Sequence, residues 1–143
     1  MMQNWQHFVY PGFALAFRHP QTTPQGHIVE KVESQRDEAI RVHFTSKDSH
    51  ELYFEMTKYI NLPAQVEYQD HKEYLENRPG EYVVSDLKEI RWMSQRAYEY
   101  SIKWRQGTRI VRLIEIDNAT YRILYDPNSP LNVQILSTLQ WTY

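Results

Sequence analysis

The apolar positions change period several times along the chain, and each change marks an element. In "FALAFRHP", Phe13, Leu15 and Phe17 alternate with Ala14, Ala16 and Arg18. A period of two belongs to a strand, opened here by Pro11-Gly12 and closed by Pro20. After the loop "QTTPQG", "HIVEKVES" reads as a second, weaker strand. Ile40, Val42 and Phe44 then alternate in "AIRVHFT", and Leu52, Phe54 and Met56 in "ELYFEMT", with "SKDSH" a turn by composition. A register that gathers these six side chains on one face pairs Phe44 with Leu52, Val42 with Phe54 and Ile40 with Met56. A slip of one residue turns one set outward, so the pattern specifies the register strongly. It sets Arg41 beside Glu55 and His43 beside Tyr53 on the opposite face.

The period lengthens in "NLPAQVEYQDHKEYLENRPG", where Ala64, Tyr68, His71 and Leu75 recur at helical spacing. Asn61 is a candidate cap, Pro63 is tolerated in a first turn, and Pro79-Gly80 is a stop signal. The spacing predicts one amphipathic helix over about residues 63 to 77.

"EYVVSDLKEIRWM" reads as an irregular strand. "RAYEYSIKW" follows, with Tyr98, Tyr100, Ile102 and Trp104 on one face, and Gln106-Gly107 as a hairpin turn. "TRIVRLIEI" is apolar on both faces: Val111 and Leu113 on one, Ile110, Ile114 and Ile116 on the other. Such a strand is central and covered on both sides. "TYRILY" returns after the "DNA" turn, with Tyr121, Ile123 and Tyr125 expected to join the Val111–Leu113 face. "YDPNSP" breaks the strand. Ser129 then caps a helix with Pro130 in its first position, and Leu131, Ile135, Leu136 and Leu139 form its apolar stripe.

The predicted order is four strands, a helix, three strands and a helix. Hairpins dominate the connections, so the expected fold class is α+β: a single antiparallel sheet of about six to seven strands, flanked by two helices. The length of 143 residues suits one domain spanning 1–143, with no internal repeat, low-complexity tract or linker.

Composition narrows the chemistry. The 41% hydrophobic and 24% charged residues are ordinary for a soluble globular chain, and the 14% aromatic share calls for a core or a partner. Cysteine is absent, which excludes disulfides, a thiol nucleophile and Cys-based zinc sites, and fits a reducing compartment. No apolar run approaches the length of a membrane span. "MMQNWQHFVYPGF" lacks the n-region and h-region of a signal peptide, so the default expectation is a cytoplasmic location. A chain trimmed of its leader would read the same. The sequon Asn118-Ala119-Thr120 is short enough to arise by chance.

The net charge of -2 gives no global attraction to nucleic acid or anionic membranes. It is unevenly spread, however. Residues 1–87 hold 8 Lys/Arg against 13 Asp/Glu, and residues 88–125 hold 8 against 4.

No catalytic signature stands out. There is no G-x-S-x-G elbow, and the single glycines in "RPGEY" and "RQGTR" match no phosphate-binding loop. None of the six histidines forms a metal motif. His43, Asp48 and His50 crowd one hairpin and could hold a metal loosely, but a polar turn with a cross-strand His–Tyr pair is the preferred reading. His71, on the apolar helix stripe, is better read as a hydrogen-bonded, partly buried histidine. The sequence therefore assigns no catalytic, cofactor or metal residues.

The basic, aromatic half is the strongest functional feature. Arg91, Trp92, Arg96, Arg105, Arg109 and Arg112 form the candidate binding surface. Tyr, Trp and Arg are enriched at protein interfaces, and Arg with aromatics on a sheet can also hold single-stranded nucleic acid. A third reading pairs these basic strands internally with the acidic first half.

The order of elements resembles the PsbP-like fold, shared with the DcrB-like and related bacterial families. The resemblance rests on "YPGFALAFRHP", on the helix "PAQVEYQDHKEYLENRP" and on the ending "RAYEYSIKWRQGTRIVRLIEIDNATYRILYDPNSPLNVQILSTLQW". It covers nearly the whole chain and implies a PsbP-like sandwich. It also implies an accessory subunit, small-protein binder or chaperone for secreted proteins more readily than an enzyme. No catalytic set and no metal or partner site of the photosynthetic members carries over to residues of this chain. The lipoprotein leader common among bacterial relatives has no counterpart in the sequence.

The leading expectation is a non-catalytic binding or accessory domain that engages a protein or peptide, with no cofactor. One alternative is a small-ligand carrier or an enzyme using a cavity in the sheet. Another is weak nucleic-acid binding through strands 88–125. The sequence predicts no oligomeric state.

Overall fold

The computed structural model describes residues 5–36 and 38–142. In chain order these form β1 (Gln6–Phe8), β2 (Leu15–His19), β3 (Val29–Arg36), β4 (Ala39–Ser46), β5 (Tyr53–Ile60), α1 (Ala64–Glu76), β6 (Val83–Val84), β7 (Lys88–Trp92), β8 (Gln95–Trp104), β9 (Gly107–Ile116), β10 (Ala119–Tyr125), α2 (Pro130–Ser137) and β11 (Gln140–Trp141). The large sheet runs β3-β4-β5-β10-β9-β8, with β6 and β7 both on the outer side of β8. β1, β2 and β11 make a separate three-stranded sheet. All pairings are antiparallel.

The α+β class and the two helices agree with the sequence reading; a single sheet of six to seven strands does not. β2 is the aromatic strand foreseen in "FALAFRHP", but it pairs with the short segments β1 and β11, which show no period of their own. The expected irregular strand divides into β6 and β7. Between them the Ser85 N–H donates to the Ser101 carbonyl at 2.9 Å, and Ser85 Oγ accepts from the Ser101 N–H at 2.8 Å.

Two cores lie on the two faces of the large sheet. One holds the small sheet and α2 against it through Leu15, Phe17, Val42, Phe54, Ile114, Ile123, Leu131 and Ile135. Phe8, Phe17, Phe44 and Phe54 meet there at centroid distances of 5.1–5.3 Å, within the range of favourable aromatic pairs. The other core lies under α1 and gathers Ala64, Tyr68, Leu75, Tyr100, Ile102, Val111, Leu113 and Leu124. β9 serves both cores with the two faces the sequence assigned to it.

Several details correct the sequence reading. Phe44 stands opposite Phe54, Val42 opposite Met56 and Ile40 opposite Lys58, a register shifted by two residues. A shift of two preserves the faces, so apolar alternation alone does not distinguish the two registers. The loop decides it: Ser46 Oγ accepts from the Leu52 N–H at 3.1 Å, which keeps Leu52 in the turn. His43 consequently faces Glu55, with Tyr53 stacked diagonally at 6.3 Å, and Arg41 faces Thr57. The β8–β9 loop is Arg105-Gln106, with Gly107 as the first residue of β9 rather than in the turn.

Tyr121, Ile123 and Tyr125 join the Ile114–Ile116 face, not the Val111–Leu113 face, because Tyr121 pairs with Ile114 and Tyr125 with Ile110. Asn61 is not the cap of α1. It adopts a left-handed φ of 59° and donates its N–H to the Asn118 carbonyl at 2.7 Å. Pro63 holds the cap position without a side-chain bond, and Glu115 Oε2 on β9 instead accepts from the Ala64 N–H at 2.9 Å. The cap of α2 is as expected, with Ser129 accepting from the Asn132 N–H and Pro130 opening the helix.

Candidate functional site

The densest chemistry lies beneath α1. On β10, residues 120, 122 and 124 point toward α1, so Arg122 enters that core between Leu113 of β9 and Thr57 of β5. Alternation on β5 brings Glu55 to the same face. On α1, Glu67 sits three residues after Ala64 and four before His71, so helical spacing turns it inward with the apolar stripe. Glu55 and Glu67 are each 3% exposed at the side chain.

Arg122 bridges them. Its Nη2 donates to Glu55 Oε1 at 2.8 Å and its Nη1 to Glu67 Oε2 at 3.3 Å. Its guanidinium lies 5.3 Å from the Tyr59 ring centroid, a cation–π distance. Tyr53 and Thr57 donate to Glu55, and Arg41 approaches it at 4.0 Å. Tyr100 donates to Glu67 Oε1 at 2.8 Å. His71 Nδ1 lies 2.6 Å from the Tyr100 oxygen. A tyrosine hydroxyl has one proton, and Tyr100 gives it to Glu67. The His71 contact is therefore a donation from Nδ1–H, which sets the tautomer of a neutral imidazole. Arg122 Nε is buried and carries no hydrogen bond.

Burial and charge shift the titrations in opposite senses. Burial opposes ionisation of Glu55, but Arg122 and the bonds around it hold its carboxyl below the usual range. Burial dominates at Glu67 and raises it, against the pull of Arg122. The difference follows from partner number, because Arg41, Tyr53 and Thr57 also serve Glu55. Burial, assisted by the charge of Arg122, lowers His71 to about 4. Tyr100 is raised by burial and by Glu67, so it stays protonated. The mouth of the network opens on a cleft of about 200 Å³ lined by Tyr59, Leu62, Asp70, His71, Tyr74 and Arg122. Chemically, the arrangement holds fixed, mutually neutralised charges and ties α1 to β5 and β10.

The sequence reading missed this group, although each member carries a signal. Glu55 and Arg122 are charged residues inside strands of covered sheet, and Glu67 lies on the buried face of the helix. The pairing of an arginine from residues 88–125 with two carboxylates from residues 1–87 also accounts for part of the charge asymmetry.

The six arginine and tryptophan positions singled out from sequence do not share one face. Arg112 and Trp92 face the small-sheet side. Arg112 bonds Glu99 at 2.9 Å and lies 5.1 Å from the Trp92 ring. Arg109 faces the α1 side, 3.6 Å from Asp126 and between the rings of Tyr53 and Trp104 at 5.2 and 5.1 Å. Arg105 is exposed in the β8–β9 turn. Arg91 and Arg96 are exposed and stand directly opposite each other in the β7–β8 hairpin. That hairpin turns through Met93 and Ser94, both left-handed with φ of 53° and 65°. At about 3.3 Å per residue, the length of β8 puts Arg105 roughly 30 Å from Arg96. His43, Asp48 and His50 do not form a metal cluster, and no such group of acidic or histidine side chains occurs among the described residues. No helix among the described residues is long and apolar enough to cross a membrane.

The two-core architecture, with one helix on the outer face of a large antiparallel sheet and another beside a small sheet, defines an α+β domain of PsbP-like fold. The chain is similar in structure to cyanobacterial PsbP (CyanoP) from Synechocystis sp. PCC 6803, with a TM-score of 0.64 over 96% of this chain and 92% of that one. Sequence identity across that match is 9%, so the likeness is one of fold. A protein of Bacteroides thetaiotaomicron VPI-5482 aligns with 99% of this chain and 50% of its own, at a TM-score of 0.48 and 11% identity. No family model and no curated protein matches the sequence.

Proposed function

We propose that this chain is a non-catalytic binding or accessory domain whose partner is a protein or peptide segment carrying acidic side chains, docked on the β7–β8 hairpin. The observation that supports this reading is the Arg91–Arg96 pair. Like charges directly opposite in an antiparallel ladder are destabilising, by roughly 0.2–1 kcal/mol. Two non-glycine residues in the left-handed region add strain to the same hairpin. Met93 recovers part of that cost by packing on the core, and Arg91 Nη2 donates to the Ser94 carbonyl at 3.3 Å, but both arginines remain exposed. An acidic partner would turn their mutual repulsion into attraction.

A protein segment fits better than a nucleic acid because the aromatic groups near these arginines are engaged elsewhere. Trp92 lies on the opposite face under Arg112, and Tyr98, two residues from Arg96 along β8, is half-buried and packs against the core under α1. Base stacking would need an uncovered ring beside the arginines.

The test compares wild type with Arg91→Glu and Arg96→Thr in crosslinking and pull-down from the native source. Partner capture should fall in both variants, while Arg96→Thr should unfold no earlier than wild type, since it relieves repulsion. Undiminished capture by both variants would sink the proposal. So would salt-sensitive binding of single-stranded nucleic acid in preference to protein.

A further inference from the structure

At the end of the large sheet remote from that hairpin, β3 is an eight-residue strand that, among the described residues, pairs with β4 alone, and residues 30–36 are all exposed. Such an edge presents unpaired backbone groups and is a template for another strand. The hydrogen-bond phase is visible at its start. The Ile28 carbonyl accepts from Lys47 N–H, on the β4 side, while the Val29 N–H turns away from β4 to the Gln21 carbonyl. Alternation then points the backbone groups of Glu30, Val32 and Ser34 at β4 and those of Lys31, Glu33 and Gln35 outward. An added antiparallel strand must therefore bond to Lys31, Glu33 and Gln35.

For a second copy of this chain related by a two-fold axis, that phase leaves few registers, each centred on one residue of β3. Centring on Lys31 sets lysine on lysine, and centring on Glu33 sets glutamate on glutamate. Centring on Ser34 puts Val32 opposite arginine and separates Lys31 from Glu33. Centring on Val32 is different. Lys31 lies opposite the partner's Glu33, Glu33 lies opposite the partner's Lys31, and both are hydrogen-bonded pairs. Val32, 46% exposed, meets the partner's Val32 in a non-hydrogen-bonded pair, where side chains approach most closely. Lys31 and Glu33 already share one side of the strand, 3.2 Å apart within the chain, so each is placed to bridge both copies.

We infer that β3 is a self-pairing edge, joining two copies antiparallel with Val32 on the two-fold axis and Lys31 opposite Glu33 on either side. Charges on an edge strand ordinarily discourage association; here their order makes the edge complementary to itself. The β7–β8 hairpin lies at the other end of the sheet and remains accessible in the pair.

The test is sedimentation velocity of the full chain over a concentration series, with Lys31→Glu, Glu33→Lys and an equimolar mixture of the two. Wild type should dimerise with rising concentration. Each single variant places like charges opposite twice and should weaken dimerisation by about tenfold or more. The mixture restores both opposite-charge pairs and should regain dimer as a heterodimer. Circular dichroism should show native signal in each, since both positions are exposed. A wild type that stays monomeric throughout overturns the inference. Single variants that dimerise as well as wild type, or a mixture that stays monomeric, overturn it equally.

Discussion

Replacing Arg122 with methionine tests the network under α1 most directly. Methionine keeps an unbranched stem of similar reach against Tyr59 and Leu113 but removes the charge. Two carboxylates, each 3% exposed, then lose bonds of 2.8 and 3.3 Å. Glu55 keeps Tyr53 and Thr57 as donors and Arg41 nearby, whereas Glu67 keeps Tyr100. Breaking a buried ion pair from one side costs about 3–5 kcal/mol, mainly through the charge left behind. For a chain of this size that corresponds to roughly 10–20 °C in Tm.

The cost also depends on pH. Without Arg122 both carboxyls bind protons more readily folded than unfolded. The variant's stability is then greatest below the ordinary carboxylate range and is lost as pH rises through the raised folded values. The deficit relative to wild type should therefore be large at pH 7 and shrink toward pH 5. Adding Glu67→Gln should restore about 2 kcal/mol, since it removes the worse-served charge. Urea unfolding of wild type, the single and the double variant at both pH values supplies the numbers. A single-variant cost below about 1 kcal/mol, the scale of a surface pair, would mean that Arg122 does not neutralise buried charge. A deficit independent of pH would mean the same.

Two further outcomes follow from the same two cores. His71 is lowered from 6.5 to about 4, so between those values the unfolded chain binds a proton that the folded chain refuses. His71 should add a rising slope of stability with pH across that window, up to about 3 kcal/mol in total and flat above it. His71→Gln should remove this slope in denaturant titrations, and an unchanged slope would assign it to other groups. Ile135 of α2 is fully buried in the core beneath the small sheet, so Ile135→Asp should abolish the near-ultraviolet circular dichroism signal and expose the chain to proteolysis. A variant that remained folded would mean that this helix face does not hold the fold closed.

Much of the fold was legible along the chain. Period two marked β2, β4, β5, β8, β9 and β10, period 3.6 marked α1, and the Ser129-Pro130 pair marked the start of α2. The two-sided pattern of β9 announced cover on both faces. The errors share a cause: local pattern constrains parity but not partner. A shift of two residues between β4 and β5 leaves every face unchanged, so only the Ser46-bound loop could choose. The faces of Tyr121, Ile123 and Tyr125 depend on which residue of β9 lies opposite, and alternation within one strand carries no such information. Asn61 has the composition of a cap, but a carboxylate from β9 bonds the first helical N–H.

The candidate site was legible in its parts. Glu55, Glu67 and Arg122 each occupy a covered element, yet they lie 12 and 55 residues apart along the chain. Their attraction exists only once β5, β10 and α1 are stacked. The candidate arginines show the converse: one run of sequence distributes them over two faces and both ends of a strand, because successive strand residues point to opposite sides. Which side chains of one element share a face is thus written in the order of apolar and polar residues along it. Which charges meet, and which arginines are left facing solvent, depends on sheet register and helix placement, because Coulomb pairing acts through space and has no period along the chain.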